Sequence, residues 1–260
     1  MTEHDVVILA DPRGLAGHVA ERLVAEIATA QAARGTASVV LTGGGMGTRT
    51  LTAVGDLDTS GIDWSRVDVW WGDERFVAAD DAERNERAAR AALLDGLGLD
   101  PARVHAIPAA DAVATAEDAA ERYAAELATS SETTGSRPAD GTAVPAFDVL
   151  LLGVGPDAHV ASLFPELDAV QEGRRTVLAV HDAPKPPPHR VTLTLPAINA
   201  ARQVWLVVAG ADKAGAVALA ANGAAAQQVP AAGVQGTERT VWFLDTAAAA
   251  RLPRPRRDDE

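Results

Sequence analysis

The sequence predicts a doubly wound α/β fold, in which a mostly parallel sheet carries helices on both faces. Short runs rich in Val and Leu alternate with amphipathic stretches along nearly the whole chain, which is the pattern of consecutive βαβ units. Several of the runs show little polar alternation, as expected of strands that are buried on both faces. The chain has 260 residues, 47% of them hydrophobic, which is enough for one substantial domain.

Seven apolar runs are predicted to be strands of this sheet. In chain order they are VVILA from Val6, ASVVLTGG from Ala37, RVDVWWG from Arg66, FDVLLLGVG from Phe147, TVLAVHD from Thr176, QVWLVVAG from Gln203 and TVWFLD from Thr240.

Helices are predicted between the strands. Leu15, Val19, Leu23 and Ile27 recur every four residues, which indicates an amphipathic helix after the first strand. Residues 87–97 and 115–127 show the same pattern, and Asn85 is a candidate N-cap for the first of these two helices.

One composition shift interrupts this rhythm. Residues 129–145 are polar and rich in Gly and Pro, which predicts a surface loop within a single domain of residues 1–250. Residues 251–260, RLPRPRRDDE, are expected to form a disordered tail.

Composition excludes several functional classes. The chain has no cysteine, so it can form neither a disulfide nor a thiolate site. The formal net charge of −13 argues against nucleic acid as a partner, because that interaction needs positive patches. The sequence shows neither a membrane-spanning apolar run nor a secretory signal pattern, so we expect a cytoplasmic protein without a membrane partner.

A glycine-rich turn, LTGGGMGT from Leu41, follows the second predicted strand. Such a turn exposes backbone N–H groups at a helix N-terminus, which suits a phosphate. Thr42, Gly43, Gly44 and Gly45 are therefore candidate phosphate ligands. A glycine turn without a ligand is the equal alternative, since the lysine of a P-loop is absent.

Three charged residues, Asp73, Glu74 and Arg75, come directly after the third predicted strand. Ligands of open α/β sheets bind beyond the carboxyl ends of the strands, so Asp73 and Arg75 are candidates for the site. A surface salt-bridge cluster is the alternative.

The segment FDVLLLGVGPDAHVASLFP, from Phe147, is the most informative of the chain. It predicts a strand and a glycine turn followed by Asp157 and His159. A histidine in this position, with a carboxylate that holds its tautomer, can act as a general base on water. A structural histidine is the alternative reading.

The same segment contains GVGPDA, which matches the dinucleotide fingerprint G-x-G-x-x-G/A, and Asp182 ends the next predicted strand. A dinucleotide fold needs a full helix between those strands, and Pro165 interrupts the stretch too early for one. Ser162 does not fit a serine hydrolase, because no G-x-S-x-G elbow occurs. We therefore do not expect a dinucleotide cofactor.

Two cations follow in the segment KPPPHRVTLTLPAINAARQVWLVVAGADK, from Lys185. Arg190 opens a predicted strand and Lys213 follows a glycine turn, so both can converge on a phosphate. Surface charges are the alternative, although a lysine at a helix N-terminus opposes the helix dipole unless it faces an anion. His181 and His189 flank the prolines without a third ligand at suitable spacing, so no metal site is expected.

Taken in order, these segments resemble the 6-phosphogluconolactonases over nearly the whole chain. TGGG resembles the phosphate loop of that family, WWGDER its W-x-D-E-R motif, and GPDAHVASLFP its G-x-D-G-H-T-A-S-L-F-P motif. RVTLTLPAIN and the later G-x-x-K are similar to the C-terminal half of the family. Ala158 and Val160 replace the Gly and Thr beside the histidine, so we expect a slightly different turn geometry.

The resemblance implies the isomerase/deaminase type of Rossmann-like fold and a carboxylic ester hydrolase of the oxidative pentose phosphate pathway. The expected substrate is 6-phospho-D-glucono-1,5-lactone, and no cofactor is expected. The expected assembly is a monomer or homodimer. His159 would activate water, Asp157 would orient His159, and Arg75 would stabilise the oxyanion or hold the substrate. The glycine loop, Arg190 and Lys213 would hold the phosphate.

Two alternatives share the implied fold. The amino-sugar-phosphate isomerase/deaminases have a similar segment, D-G-H-I-A-F-N-E-P, whose glutamate takes part in ring opening. Phe164 stands in that position here and cannot transfer a proton, which favours the lactonase. The second alternative is a non-catalytic sugar-phosphate sensor.

Overall fold

The computed structural model describes residues 5–134 and 142–252. Six of the seven predicted strands form one parallel sheet in these residues. They are β1 (Asp5–Leu9), β2 (Ala37–Leu41), β3 (Val67–Trp71), β5 (Val149–Leu152), β8 (Gln203–Val208) and β9 (Arg239–Asp245), in the spatial order β1-β9-β8-β5-β2-β3. Every neighbouring pair is parallel.

This strand order places a switch point in the middle of the sheet. From β2 the chain proceeds outward to β3, and from β5 it proceeds outward in the other direction through β8 to β9. Connections that diverge in this way leave a crevice at the carboxyl ends of the two central strands, where α/β proteins bind their ligands. The predicted fold class is confirmed.

A small antiparallel sheet holds the remaining strands, β4 (Asp73–Arg75), β6 (Val177–Val180) and β7 (Arg190–Leu193), in the order β4-β7-β6. The prediction that the run from Thr176 joins the main sheet is therefore wrong. A parallel neighbour needs a long crossover connection, whereas the short proline-rich segment after β6 returns the chain directly as antiparallel β7.

Six helices cover the sheet in the described part of the chain. They are α1 (Pro12–Arg34), α2 (Gly44–Gly55), α3 (Asn85–Ala92), α4 (Ala116–Thr134), α5 (Leu195–Asn199) and α6 (Ala214–Ala221). Asp11 caps α1 by accepting hydrogen bonds from the backbone N–H groups of Arg13 and Gly14 at 2.9 and 2.8 Å. None of these helices is long and apolar enough to cross a membrane.

Two helix boundaries differ from the prediction. Helix α3 ends at Ala92 instead of continuing to residue 97, because Leu93 leaves the helical region and a short 3₁₀ turn follows. Helix α4 continues to Thr134, so the first part of the predicted 129–145 loop is helical, and its residues 135–141 lie outside the described residues. Residues 253–260 of the predicted tail also lie outside them.

Tyr123 of α4 forms hydrogen bonds with the backbone at the outer edge of β3. Its hydroxyl accepts a hydrogen bond from the backbone N–H of Trp71 and donates one to the carbonyl oxygen of the same residue, both at 3.0 Å. Tyr123 is fully buried. A tertiary side chain thus pairs with the backbone of Trp71 at this edge, where Val69 of the same strand is bridged by Val104.

We expect Tyr123→Phe to lower the free energy of unfolding by about 1–3 kcal/mol, because two buried backbone groups of Trp71 lose their partner. Urea denaturation measures the change. Glu121→Gln, on the exposed face of the same helix, is the control and should stay within about 0.5 kcal/mol of the parent. Equal stability of Tyr123→Phe and the parent would contradict the assigned role.

Candidate active site

A cavity of about 540 Å³ opens at the carboxyl ends of the central strands. It is bordered by the residues that follow β2, β3, β5 and β8 and by the start of β7. Nine of the ten predicted site residues line it: Thr42, Gly43, Gly44, Gly45, Asp73, Arg75, His159, Arg190 and Lys213. The tenth, Asp157, is not a lining residue but contacts His159, which is.

His159 lies in the turn after β5, and one nitrogen of its ring contacts Asp157. Its Nδ1 lies 2.5 Å from Oδ1 of Asp157. Because an ionised carboxylate can only accept, Nδ1 carries the proton and donates it. This tautomer leaves Nε2 as the basic nitrogen of the ring.

The pKa of Asp157 reflects this contact. Burial raises the pKa of the carboxyl, but the hydrogen bond and charge of His159 and the charge of Lys185 outweigh burial and hold it below its usual range. Asp157 is therefore an anion at neutral pH, as the orienting partner of a histidine must be.

The His159–Asp157 pair requires a glycine at position 155. A Cβ atom there would lie 2.0 Å from Nδ1 of His159 and 2.3 Å from Oδ1 of Asp157. The backbone N–H of Gly155 also donates a 2.9 Å hydrogen bond to the carbonyl oxygen of His159, which closes the turn.

Ala158, which replaces the glycine typical of the resembled motif, keeps a left-handed conformation with φ 69°. We expected Ala158 to change the geometry of the turn, but the alanine does not switch to a negative φ. Instead, the alanine adopts a conformation that costs an L-residue about 1–2 kcal/mol.

Phe164 packs against two candidate residues of the site, His159 and Arg190. Its ring centroid lies 4.5 Å from that of His159, and the guanidinium carbon of Arg190 lies 5.6 Å from the same phenyl ring. Phe164 is only 1% exposed. A single buried aromatic ring thus contacts both the candidate base and a candidate cation.

The three charged residues after β3 have different structural roles. Asp73 is buried and accepts a 2.7 Å hydrogen bond from the hydroxyl of Ser162. Arg75 reaches the cavity, and its Nη1 donates to the side-chain oxygen of Asn85 at 2.7 Å. Both residues therefore border the cavity.

Glu74 points into the protein instead and caps α3. Its carboxylate accepts hydrogen bonds from the backbone N–H groups of Asn85 and Glu86 at 2.7 and 2.8 Å. Burial raises the pKa of Glu74, while the charge of Arg84 and these N–H donors oppose the rise.

The prediction that Asn85 is the N-cap of α3 is therefore wrong. Asn85 is the first helical residue, and Arg84 occupies the cap position without a side-chain cap bond. The amide of Asn85 donates to the carbonyl oxygen of Asp73 at 3.0 Å and accepts from Arg75, so it orders the cavity wall.

In the described part of the chain no side chain caps the start of α2, so the first N–H groups of the glycine loop are open to a ligand. Gly43 must lack a side chain, because a Cβ atom would lie 1.9 Å from the amide oxygen of Asn85. The hydroxyl of Thr42 accepts a 3.2 Å hydrogen bond from the backbone N–H of Gly153 and keeps its own proton to donate.

Two cavity cations were missed by the sequence reasoning, Arg49 and Lys185. Arg49 lies on α2 shortly after the glycine loop, and its only sequence signal is this proximity. Lys185 begins the proline run, and three consecutive prolines before a strand were the signal that the segment is held in one place.

The cavity is strongly cationic although the chain as a whole is acidic. In the described part of the chain, its basic lining residues are Arg49, Arg75, Lys185, Arg190 and Lys213. Asp73 is the acidic residue among the lining. Such a cavity favours a small anionic ligand.

Comparison with known proteins finds relatives that match nearly the whole chain. The family described as glucosamine-6-phosphate isomerases/6-phosphogluconolactonase matches residues 10–242. A 6-phosphogluconolactonase of Streptomyces coelicolor is 56% identical over 250 residues, which cover 96% of this chain and 95% of the relative. A 6-phosphogluconolactonase of Mycobacterium tuberculosis is 47% identical over 248 residues, covering 95% of this chain and 98% of the relative.

Solved structures show the same fold. The 6-phosphogluconolactonase of Trypanosoma brucei is 26% identical with a TM-score of 0.75, covering 96% of this chain and 99% of that one. A monomeric glucosamine-6-phosphate deaminase is 19% identical, also with a TM-score of 0.75, and covers 95% and 99% of the two chains. At that identity the likeness shows the fold alone.

The fold and the cavity define an α/β enzyme with its site at the switch point of a parallel sheet. The chain belongs to the glucosamine-6-phosphate isomerase/6-phosphogluconolactonase family. The resemblance recognised in the sequence is confirmed.

We expect Ala158→Gly to raise the free energy of unfolding by about 0–1 kcal/mol, because relief of the left-handed strain offsets the flexibility of glycine. The matched control is Ala120→Gly in α4, another buried alanine, which should lose about 1 kcal/mol or more. Urea denaturation compares the two, and equal losses would show that position 158 is not strained.

Proposed function

We propose that this chain hydrolyses 6-phospho-D-glucono-1,5-lactone to 6-phosphogluconate, with His159 as the general base. The observation that carries the mechanism is the His159 ring, which borders a cationic cavity while Asp157 holds its Nδ1. The relatives that match nearly the whole chain are named 6-phosphogluconolactonase, and they confirm the predicted hydrolase activity.

In the proposed reaction, Nε2 of His159 takes a proton from a water molecule as the water oxygen attacks the lactone carbonyl. The tetrahedral intermediate then collapses, and the bond between the carbonyl carbon and the ring oxygen breaks. The imidazolium returns its proton to the departing oxygen, which becomes the hydroxyl of the product. A positioned base of this kind contributes about 10²–10⁴-fold to the rate.

Asp157 and Arg75 would assist the base. Asp157 fixes the tautomer of His159 and stabilises the imidazolium that forms in the first step. Arg75 supplies positive charge for the oxyanion of the intermediate, and its Nη1 is fixed by the carbonyl oxygen of Glu83 at 2.8 Å and by Asn85.

The phosphate would lie at the N-terminus of α2. Free N–H groups of Gly43, Gly44 and Gly45 and the hydroxyl of Thr42 provide donors there. Lys213 supplies charge, although in this structure its ammonium lies 2.9 Å from the carboxylate of Asp212. Arg49 on the same helix is a further candidate.

Arg190 would contribute positive charge and also hold the cavity wall. Its Nε donates to the carbonyl oxygen of Pro187 at 3.0 Å, and its Nη2 donates to that of Lys185 at 2.9 Å. These bonds use part of the guanidinium, so the phosphate would share Arg190 with the protein backbone.

The isomerase/deaminase alternative is disfavoured by Phe164. A buried phenyl ring packed on His159 leaves no carboxylate in that position for ring opening. We also propose that the enzyme acts in the cytoplasm.

The activity is tested with freshly generated 6-phosphogluconolactone. The protein should accelerate its disappearance at neutral pH well above the spontaneous rate, because base, oxyanion and phosphate contacts act together. Product formation is followed through a coupled dehydrogenase. A rate equal to spontaneous opening, together with tight binding of 6-phosphogluconate, would identify a non-catalytic sugar-phosphate sensor.

We expect His159→Gln to lower kcat by about 10²–10⁴-fold and to leave binding of 6-phosphogluconate nearly unchanged, because the base acts mainly in the transition state. Steady-state kinetics and calorimetry measure the two effects. His18→Gln, outside the cavity lining, is the control and should keep the parent rate. Unchanged turnover in His159→Gln would remove this residue from the mechanism.

A further inference from the structure

Lys185 shares a carboxylate oxygen with the candidate base. Its Nζ lies 3.6 Å from Oδ1 of Asp157, and this is the same oxygen that His159 Nδ1 contacts at 2.5 Å. The side chains of Lys185 and Asp157 are 44% and 34% exposed, so their contact is partly screened by solvent.

The backbone of Lys185 is held firmly for a residue in a loop. Its carbonyl oxygen accepts from Arg190, which also donates to Pro187, two residues further on. Arg190 is itself buried and packs over Phe164, the ring that also contacts His159. The same buried elements therefore position the lysine and the imidazole relative to one another.

The position of Lys185 counteracts one effect that Asp157 has on His159. A carboxylate in contact with an imidazole stabilises the protonated ring, and a protonated ring cannot accept a proton from water. An ammonium at the same oxygen weakens this stabilisation. It also favours the ionised form of Asp157, which must remain an acceptor to keep the tautomer.

We propose that Lys185 is a positioning residue that shares the carboxylate of Asp157 with His159 and thereby favours the neutral imidazole over the imidazolium. The inference deepens the proposed function and rests on it for its catalytic meaning. Lys185 also borders the cavity, so a direct contact with the substrate is the competing role.

Other charges face the same region and bear on the titration of His159. Lys185 also acts on Asp212, the partner of Lys213. The remaining charged residues of the cavity, one or more from each of α2, β4 and β7, are Arg49, Asp73, Arg75 and Arg190. All of them are retained in the variants below, so a change can be assigned to Lys185.

The test is an NMR titration of the histidine ring protons in the ligand-free protein, with the His159 signal assigned through His159→Gln. Lys185→Met should raise the pKa of His159 by roughly 0.5–1 pH unit, since Asp157 then acts on the imidazolium alone. Lys185→Arg should restore the parent value, because it retains the charge. The acid limb of kcat/KM should move to higher pH by the same amount in Lys185→Met.

Lys213→Met is the matched control, since it removes a cavity ammonium that pairs with Asp212 and not with Asp157. It should leave the pKa of His159 within about 0.2 units of the parent. An unchanged pKa in Lys185→Met, with or without a higher KM, overturns the proposal. An equal shift in both lysine variants also overturns it, because the effect would then be the general field of the cavity.

The two proposals fail in different ways. Absence of lactonase activity in the parent protein would overturn the proposed function, while the NMR titration would still show whether Lys185 controls His159. An active parent whose His159 pKa ignores Lys185 would overturn only the present inference.

Discussion

Parallel pairing of six strands is the constraint on which the site depends. Because all six run in the same direction, the segments that follow β2, β3, β5 and β8 emerge at one edge of the sheet. Residues separated by more than a hundred positions, such as Thr42 and Gly153, become hydrogen-bonded neighbours there. The divergence of the chain between β2 and β5 leaves a crevice between them, which the N-terminus of α2 borders.

The small antiparallel sheet completes the cavity at a cost in electrostatic free energy. Arg75 of β4 and Arg190 of β7 are directly opposite in its register, and like charges in that position repel. Burial lowers the pKa of Arg190 and the charge of Arg75 lowers it further, while Asp73 opposes this effect. Positive charge is thus concentrated at the cavity of an acidic protein, where an anionic ligand would relieve the repulsion.

The chemistry of the family is not decided by its fold. A deaminase and a lactonase superimpose on this chain with the same TM-score of 0.75. In this chain a buried phenyl ring, that of Phe164, packs on His159. Function therefore follows from the side chains of the site, such as those around the Asp157–His159 turn, and not from the sheet that carries it.

The sequence by itself determined the parallel strands, the glycine turns and the Asp157–His159 candidate, because apolar periodicity, glycine spacing and motif order are local signals. Only the tertiary structure decided that β6 leaves the main sheet, that Glu74 rather than Asn85 caps α3, and that Arg49 and Lys185 reach the cavity. These outcomes depend on which distant atoms satisfy a buried charge or a free backbone group. The atoms that satisfy these groups belong to residues far apart in the chain, so no local sequence pattern predicts the pairing.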